Sequence, residues 1–391
     1  MPFRPVQPLF VCLVLLLAVA CSAGTDPGAA PSPSAGVESS PSGPPSPGSG
    51  EPSTVIGDPS ESASSGSAPS RPTVSETIAT GLDVPWGIGF LPDGSALVSE
   101  RDTGRIMHVT PDGAVHPVGV VPGVQPTSEG GLLGLAVSPS YAKDRLVYAY
   151  LTTATDNRVV RMRYDGTLGT PQPVLTGIPS GEIHDGGRLA FGPDGMLYVA
   201  TGEIGVSELA QDRDSLGGKV LRVTPTGEPA PGNPDPGSPV WSLGHRNVEG
   251  LAFDDDGRLW AAEFGYQTWD ELNLVRAGRN YGWPAAEGDA GAAGYVDPLV
   301  QWRPEDASPS GLAYADGSLW VAALRGERLW QVELRDGRVA GQPQAYFLGD
   351  YGRLRTVATA PDGSLWLTTS NTDGRGDPAP GDDRILRVTV P

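Results

Sequence analysis

The sequence predicts an all-β, six-bladed β-propeller with four-stranded antiparallel blades, preceded by a signal or lipoprotein segment and a disordered linker. Three observations lead there. One hairpin motif recurs six times from about residue 73 onward. No long amphipathic helix pattern interrupts the copies. The residues before 73 have a composition that cannot build a core.

The amino-terminal segment reads as an address followed by a tether. Arg4 precedes an apolar run from Leu9 to Ala20. A membrane span needs roughly twenty apolar residues, so this shorter run reads as a signal peptide over residues 1–21. It ends Leu17-Ala18-Val19-Ala20-Cys21-Ser22, small residues before a cysteine that look like a bacterial lipobox. Cys21 is then the lipidated first residue, and the chain sits on the outer face of the cell membrane. Plain cleavage and secretion is the alternative. Residues 22–72 are Pro, Ser, Gly and Ala with scattered acids. Such a stretch buries too little apolar surface to offset its ordering entropy and reads as a flexible spacer.

Residues 73–391 form the propeller domain. The copies are GIGFLPDGSALVSE from Gly87, GLAVSPSYAKDRLVYAY from Gly134, RLAFGPDGMLYVATGE from Arg188, GLAFDDDGRLWAAEFG from Gly250, GLAYADGSLWVAALRG from Gly311 and TVATAPDGSLWLTTSN from Thr356. Asp-Gly between alternating apolar runs is a strong hairpin signal. A further strand follows each copy: RIMHV, RVVRMRY, KVLRV, ELNLV, RLWQVEL and RILRV. Six copies give roughly 53 residues each, the size of a four-stranded blade with some long loops. A blade cannot bury both faces alone, so the blades must stack around an axis. The last copy runs to the end of the chain, so Thr73–Thr80 is expected to complete the sixth blade and close the ring.

The two strands of each hairpin are antiparallel, so the start of the first and the end of the second share one end of the blade. Residues at the first position are Trp86, Glu129, His184, Arg246 with Asn247, Ser310, and Arg353 with Arg355. Residues at the second are Glu100 with Arg101, Glu203, Glu263 with Gly265, Arg325, and Asn371. Stacking would bring all of them to one mouth of the central channel, a common place for a loop-borne site on a rigid scaffold.

Charge sharpens this expectation. Lys and Arg number 27 and Asp and Glu 46, a net charge of −19 that argues against nucleic-acid binding. The only cysteines are Cys12 and Cys21, so the domain holds no disulfide, cysteine-zinc site or catalytic thiol. Within this acidic chain, Arg246, Arg325, Arg353 and Arg355 are aimed at one channel mouth. They would repel one another unless an anion sat among them, which points to a polycarboxylate or phosphate ligand. His184 is one of four histidines and is placed to act as a general base near neutral pH. Glu203, at the far end of the same hairpin, is placed to orient its ring. His245 reads as structural, and no second histidine stands at a metal-ligand spacing from His184.

These residues lie in a recognisable pattern. His184-Asp185-Gly186-Gly187-Arg188-Leu189, Leu243-Gly244-His245-Arg246-Asn247, Asp270-Glu271-Leu272-Asn273, Asn280-Tyr281-Gly282-Trp283-Pro284 and Arg353-Leu354-Arg355 resemble the soluble PQQ-dependent glucose/sorbosone dehydrogenases, in their aldose sugar dehydrogenase branch. The resemblance runs from about Val84 to Val388. It implies oxidation of the anomeric C1 hydroxyl of an aldose to a lactone by hydride transfer to pyrroloquinoline quinone (PQQ), with an external electron acceptor. By the same resemblance His184 is the base and Arg246 stabilises charge at the quinone. Asn247, Arg325, Arg353 and Arg355 bind the cofactor, and Glu129 contacts its edge. The Gly265 and Tyr266 carbonyls hold a catalytic Ca²⁺, and Glu271 and Tyr281 match a second calcium position.

Four residues depart from the family pattern. Arg325 replaces the usual Lys, Tyr266 a common Pro, and Glu203 a frequent Asp, while Ile183 stands where some glucose-oxidising members have Asp. Two rival readings stay open. One is a calcium-dependent lactonase-type hydrolase, which would need a cage of Glu, Asn and Asp side chains around an axial metal. The other is a non-catalytic propeller that binds a sugar or a protein.

Overall fold

The computed structural model describes residues 71–391; the signal segment, Cys21 and linker residues 22–70 lie outside the described residues. Six antiparallel sheets form the blades. Their first, inner strands are Pro85–Phe90, Leu132–Val137, Leu189–Phe191, Asn247–Phe253, Pro309–Ala315 and Leu354–Thr359. Each pairs with a second strand across the recurring turn: Ala96–Glu100, Leu146–Thr152, Leu197–Ala200, Leu259–Phe264, Ser318–Ala323 and Leu365–Thr369. Blade five carries an extra strand, because Arg338–Val339 and Gln344–Tyr346 both pair with Arg328–Arg335.

Aspartate makes the turns. In the first copy Asp93 Oδ1 accepts from the Ser95 amide at 3.0 Å, and Gly94 takes φ +86°. Asp194 and Asp362 repeat this contact with the amides of Met196 and Ser364, each at 3.0 Å. A short carboxylate two residues before its donor mimics a backbone turn, and glycine supplies the left-handed residue. The second copy lacks the motif. Its turn holds one helical turn, Tyr141–Asp144, and Asp144 accepts from the Leu146 amide at 2.9 Å.

Packing between blades follows from the second strands. Tyr148, Tyr198, Trp260, Trp320 and Trp366 occupy equivalent positions in copies two to six and are buried. Rings of this size remove on the order of 200 Å² from water apiece. The ring closes as the repeat count requires. Thr73–Ala79 pairs antiparallel with Ile385–Thr389 as the outer strand of blade six, from Thr73 opposite Thr389 to Ala79 opposite Ile385.

The residue that opens each copy sets the width of the channel. A β-carbon on Gly250 would lie 2.5 Å from the Ser310 carbonyl oxygen, and one on Gly87 would lie 2.7 Å from that of Leu133. Glycine therefore lets each inner strand press its backbone onto the next blade. Copies three and six carry Arg188 and Thr356 instead, on diametrically opposed blades. Their side chains also bond to the next blade: Arg188 Nε to the Glu249 carbonyl at 2.7 Å, and the Thr356 hydroxyl to the Trp86 carbonyl. They meet each other across the axis, Arg188 Nη2 to Thr356 Oγ1 at 3.1 Å, with the guanidinium 4.2 Å from the centre of the Trp86 ring. The channel is thus plugged, and burial pushes the pKa of Arg188 down to about 9.

Candidate active site

A cavity of about 430 Å³ opens at one end of the plugged channel. His184, Arg246, Asn247, Arg325, Arg353 and Arg355 all line it, together with Glu129, Gly265 and Tyr266. The structure therefore brings the histidine and the four arginines to one rim. Six residues expected at the mouth do not line the cavity: Trp86, Ser310, Glu203, Asn371, Glu100 and Glu263. Glu100 accepts from Thr103 and Arg105 of its own blade, and Glu263 accepts from His245 and the Arg246 amide. Both carboxylates are buried and engaged by donors of neighbouring turns and strands.

His184 enters the cavity from a tight turn. It takes φ +59°, followed by Gly186 at +66° and Gly187 at +111°. A left-handed backbone is costly for a residue with a β-carbon, so neighbouring contacts must hold it. Glu129 Oε2 accepts from its amide at 2.7 Å, and its carbonyl accepts from the Ile204 amide at 3.3 Å. Ring Nδ1 lies 2.7 Å from Glu203 Oε1. A carboxylate on Nδ1 keeps the proton there and leaves Nε2 with its lone pair, the arrangement of a general base. Glu203 is buried, and its second oxygen has no partner among the described residues.

Arg246 faces the histidine from the start of blade four. Its Nη1 donates to the Phe264 carbonyl at 3.3 Å, and its guanidinium lies 5.7 Å from the Tyr266 ring centre and 5.5 Å from that of Trp283. It has no carboxylate partner among the described residues, its Nε is buried without any partner, and burial lowers its pKa. Next to it, Asn247 Oδ1 accepts from the Gly186 amide at 3.0 Å, tying blade four to the histidine turn. His245 is structural: it is buried between Ser242 Oγ at 2.8 Å and Glu263 Oε2 at 2.5 Å and stacks on Tyr281.

The remaining arginines correct the charge argument. Arg353 pairs with Asp373 at 3.0 Å, and Arg355 pairs with Glu249 at 2.8 Å and with Asp373 at 3.4 Å. Part of the counter-charge is therefore the protein's own. Arg325 is exposed and Arg246 half-buried; both line the cavity, and neither forms an ion pair among the described residues. Arg101 and Arg375 also line the cavity, so six arginines face three lining carboxylates, Glu129, Glu249 and Asp270. Sequence reasoning placed Arg101 at the mouth without a role and missed Arg375, Asp373 and Glu249. The one available signal was the run of charged residues just beyond Asn371.

The proposed cation ligands fall in two places. Gly265 and Tyr266 border the cavity, and no described donor reaches their carbonyl oxygens. Their turn is held without the family's proline. Glu287 Oε1 accepts from the amides of Tyr266, Thr268 and Trp269 at 2.7, 3.1 and 3.2 Å, and Asp270 accepts from that of Gly265 at 2.9 Å. Burial pushes the Asp270 pKa up to about 6. Glu271 and Tyr281 lie inside blade four instead. The Tyr281 hydroxyl is satisfied by the Leu274 carbonyl and the Arg276 amide, leaving only its backbone carbonyl for a metal. Burial, then the facing Glu263, pushes the Glu271 pKa up to about 8, and the adjacent Asn273 Oδ1 is buried without a partner. A carboxyl forced toward its neutral form beside an orphaned amide oxygen suits a hard cation with oxygen ligands. Among the described residues no three His, Cys, Asp or Glu side chains converge on a metal position.

Comparison with known proteins bears on this geometry. Residues 82–386 match the family described as Glucose / Sorbosone dehydrogenase. The chain is 30% identical to the aldose sugar dehydrogenase YliI of Escherichia coli over 353 residues, covering 80% of this chain and 94% of that protein. The PQQ-bound form of aldose sugar dehydrogenase from Streptomyces coelicolor superposes with a TM-score of 0.80 at 59% identity, covering 82% of this chain and 99% of that one. The apo form of the soluble aldose sugar dehydrogenase from E. coli superposes at 0.73 with 28% identity, covering 82% and 100%.

Proposed function

The chain belongs to the glucose/sorbosone dehydrogenase family and is an oxidoreductase, and on that premise we propose that it is a PQQ- and calcium-dependent aldose sugar dehydrogenase. It oxidises the anomeric hydroxyl of a sugar to a lactone and delivers electrons to an external acceptor. One observation carries the reading: a His184–Glu203 pair shares a cavity lined by six arginines with Arg246, a guanidinium without a carboxylate partner among the described residues. That lining suits a planar tricarboxylate.

Arg246, Asn247, Arg325, Arg353 and Arg355 would hold the cofactor, with Glu129 near its edge, and the Gly265 and Tyr266 carbonyls would hold Ca²⁺. When bound, the quinone supplies a two-electron acceptor and the cation polarises it. His184 Nε2 removes the proton from the sugar C1 hydroxyl, and Glu203 on Nδ1 stabilises the imidazolium that results. Arg246 offers fixed positive charge where negative charge develops, already desolvated by its burial. The lipobox-like segment supports placement outside the cytoplasm, through a lipid on Cys21 or by secretion.

The test is reconstitution of the purified domain with PQQ and calcium, followed by an assay of a panel of aldoses with a dye acceptor. Turnover of at least one aldose is expected, and absence of any turnover by folded, quinone-loaded protein rejects the reading. His184→Ala is expected to abolish turnover while the absorbance titration with quinone and calcium stays close to wild type. Calcium added to the apo domain is expected to raise its melting temperature through Glu271 and the Asn273 amide oxygen, and Glu271→Gln to remove most of that gain.

A further inference from the structure

Glu129 has both carboxylate oxygens engaged, each by another residue of the cavity wall. Oε2 accepts from the His184 amide at 2.7 Å, and Oε1 pairs with Arg375 Nη1 at 2.9 Å. Arg375 comes from the loop between the second and third strands of blade six, 246 residues from Glu129, which stands just before the first strand of blade two. Its Nη2 also lies 3.4 Å from Ser128 Oγ. Within its own loop, the Arg375 amide donates to Asp373 Oδ1 at 2.9 Å, while Asp373 Oδ2 takes Arg353 and Arg355. One short loop therefore braces two arginines of the cavity wall and, through Glu129, the left-handed turn of His184.

We propose that Arg375 is a positioning residue: it anchors Glu129 on the His184 amide and so keeps the general base in its left-handed, cavity-facing conformation. The proposal rests on the reading of His184 as the base. An ion pair this exposed contributes little stability of its own, since the Arg375 side chain is 48% accessible. Its effect is directional. Glu129 also lies within electrostatic reach of Arg246. Without Arg375, the carboxylate is free to turn toward that unpaired guanidinium, release the His184 amide and neutralise the charge the reaction uses. Although burial pushes its pKa up, the His184 amide and Arg375 together hold Glu129 below its usual range, so it is anionic and able to do this.

The experiment compares wild type, Arg375→Gln and Arg375→Lys in two states. In the apo protein, hydrogen exchange of the His184 amide is expected to speed up about tenfold in R375Q and to return close to wild type in R375K. In protein saturated with quinone and calcium, kcat is expected to fall about tenfold in R375Q. KM for the sugar and Kd for the quinone should stay within about twofold, with R375K restoring most of the rate. Unchanged amide exchange in R375Q overturns the proposal. So does a raised Kd for the quinone with normal exchange, which would make Arg375 a cofactor ligand. The apo measurement is independent of whether any aldose is turned over, so failure of the proposed activity and failure of this inference are separately visible. Should R375Q not fold, Glu129→Gln removes the charge Arg375 holds and is expected to accelerate exchange in the same way; normal exchange there overturns the proposal equally.

Discussion

Asp185 shows how the chemistry of single side chains serves the histidine turn. Its Oδ1 accepts from Asn157 Nδ2 at 2.8 Å and from the Gly181 amide at 3.1 Å, while Oδ2 is buried without a partner among the described residues. Burial pushes its pKa up to about 6 from an ordinary 3.8. The folded state therefore binds this proton more tightly than the unfolded state. The resulting stability is fully present below the unfolded pKa and is lost as pH rises through about 6. Asp185→Asn is expected to raise stability at pH 8 by about 1–3 kcal/mol and to give progressively less as pH falls below 6, measured by urea denaturation at both values. The adjacent residue was legible beforehand. His184 stands out because histidine is rare here and its place in the repeat points to the mouth. The orphaned oxygen of Asp185 was not legible, because a carboxylate's environment depends on neighbours from other loops.

Secondary elements carry their own supports, and Lys219 is the clearest. It opens the third strand of blade three and is buried, with Nζ donating to the carbonyls of Leu209, Gly217 and Ala210 at 2.6, 2.7 and 3.1 Å. The ammonium holds the segment from Ile204 to Gly218, including the short helix Ser207–Ala210, against the strand that follows. Glu203, the partner of His184, stands at the start of that segment. Lys219→Met would leave the Leu209 and Gly217 carbonyls unpaired, Ala210 keeping the Gly244 amide at 2.9 Å, and is expected to cost about 2 kcal/mol or more. Denaturant unfolding measures the loss, and faster proteolytic nicking near Val206 would accompany it. The strand itself could be read from KVLRV. Its lysine could not be read as an anchor, because the carbonyls it meets belong to an irregular loop with no sequence pattern.

Closure of the ring ties the whole propeller together. The outer strand of blade six comes from the start of the domain, and its pairing with Ile385–Thr389 is a clasp across the sequence, with Ser75 bonding to Arg387, 312 residues away. Removing Thr73–Ala79 exposes the edge of Ile385–Thr389 and takes the buried Ile78 and Ala79 out of the cluster they share with Met107, Val109 and Ile385. Calorimetry of the truncated domain is expected to show a melting temperature lower by about 5 °C or more, with a tendency to associate through the open edge.

Six copies of one hairpin were enough to specify the blade count, the closing strand and the rim on which His184, Arg246, Arg325, Arg353 and Arg355 assemble. The physical reason is that a repeated unit with one unsatisfied face has few ways to bury it, and equivalent positions must then coincide around the axis. Which charges cancel was settled only by closure. Asp373 and Glu249 neutralise part of the arginine cluster, Arg188 and Thr356 plug the channel, and Arg375 crosses to Glu129. All of these pairs except those of Asp373, which shares blade six with Arg353 and Arg355, join residues from different blades, and no local periodicity encodes where a side chain's reach will end.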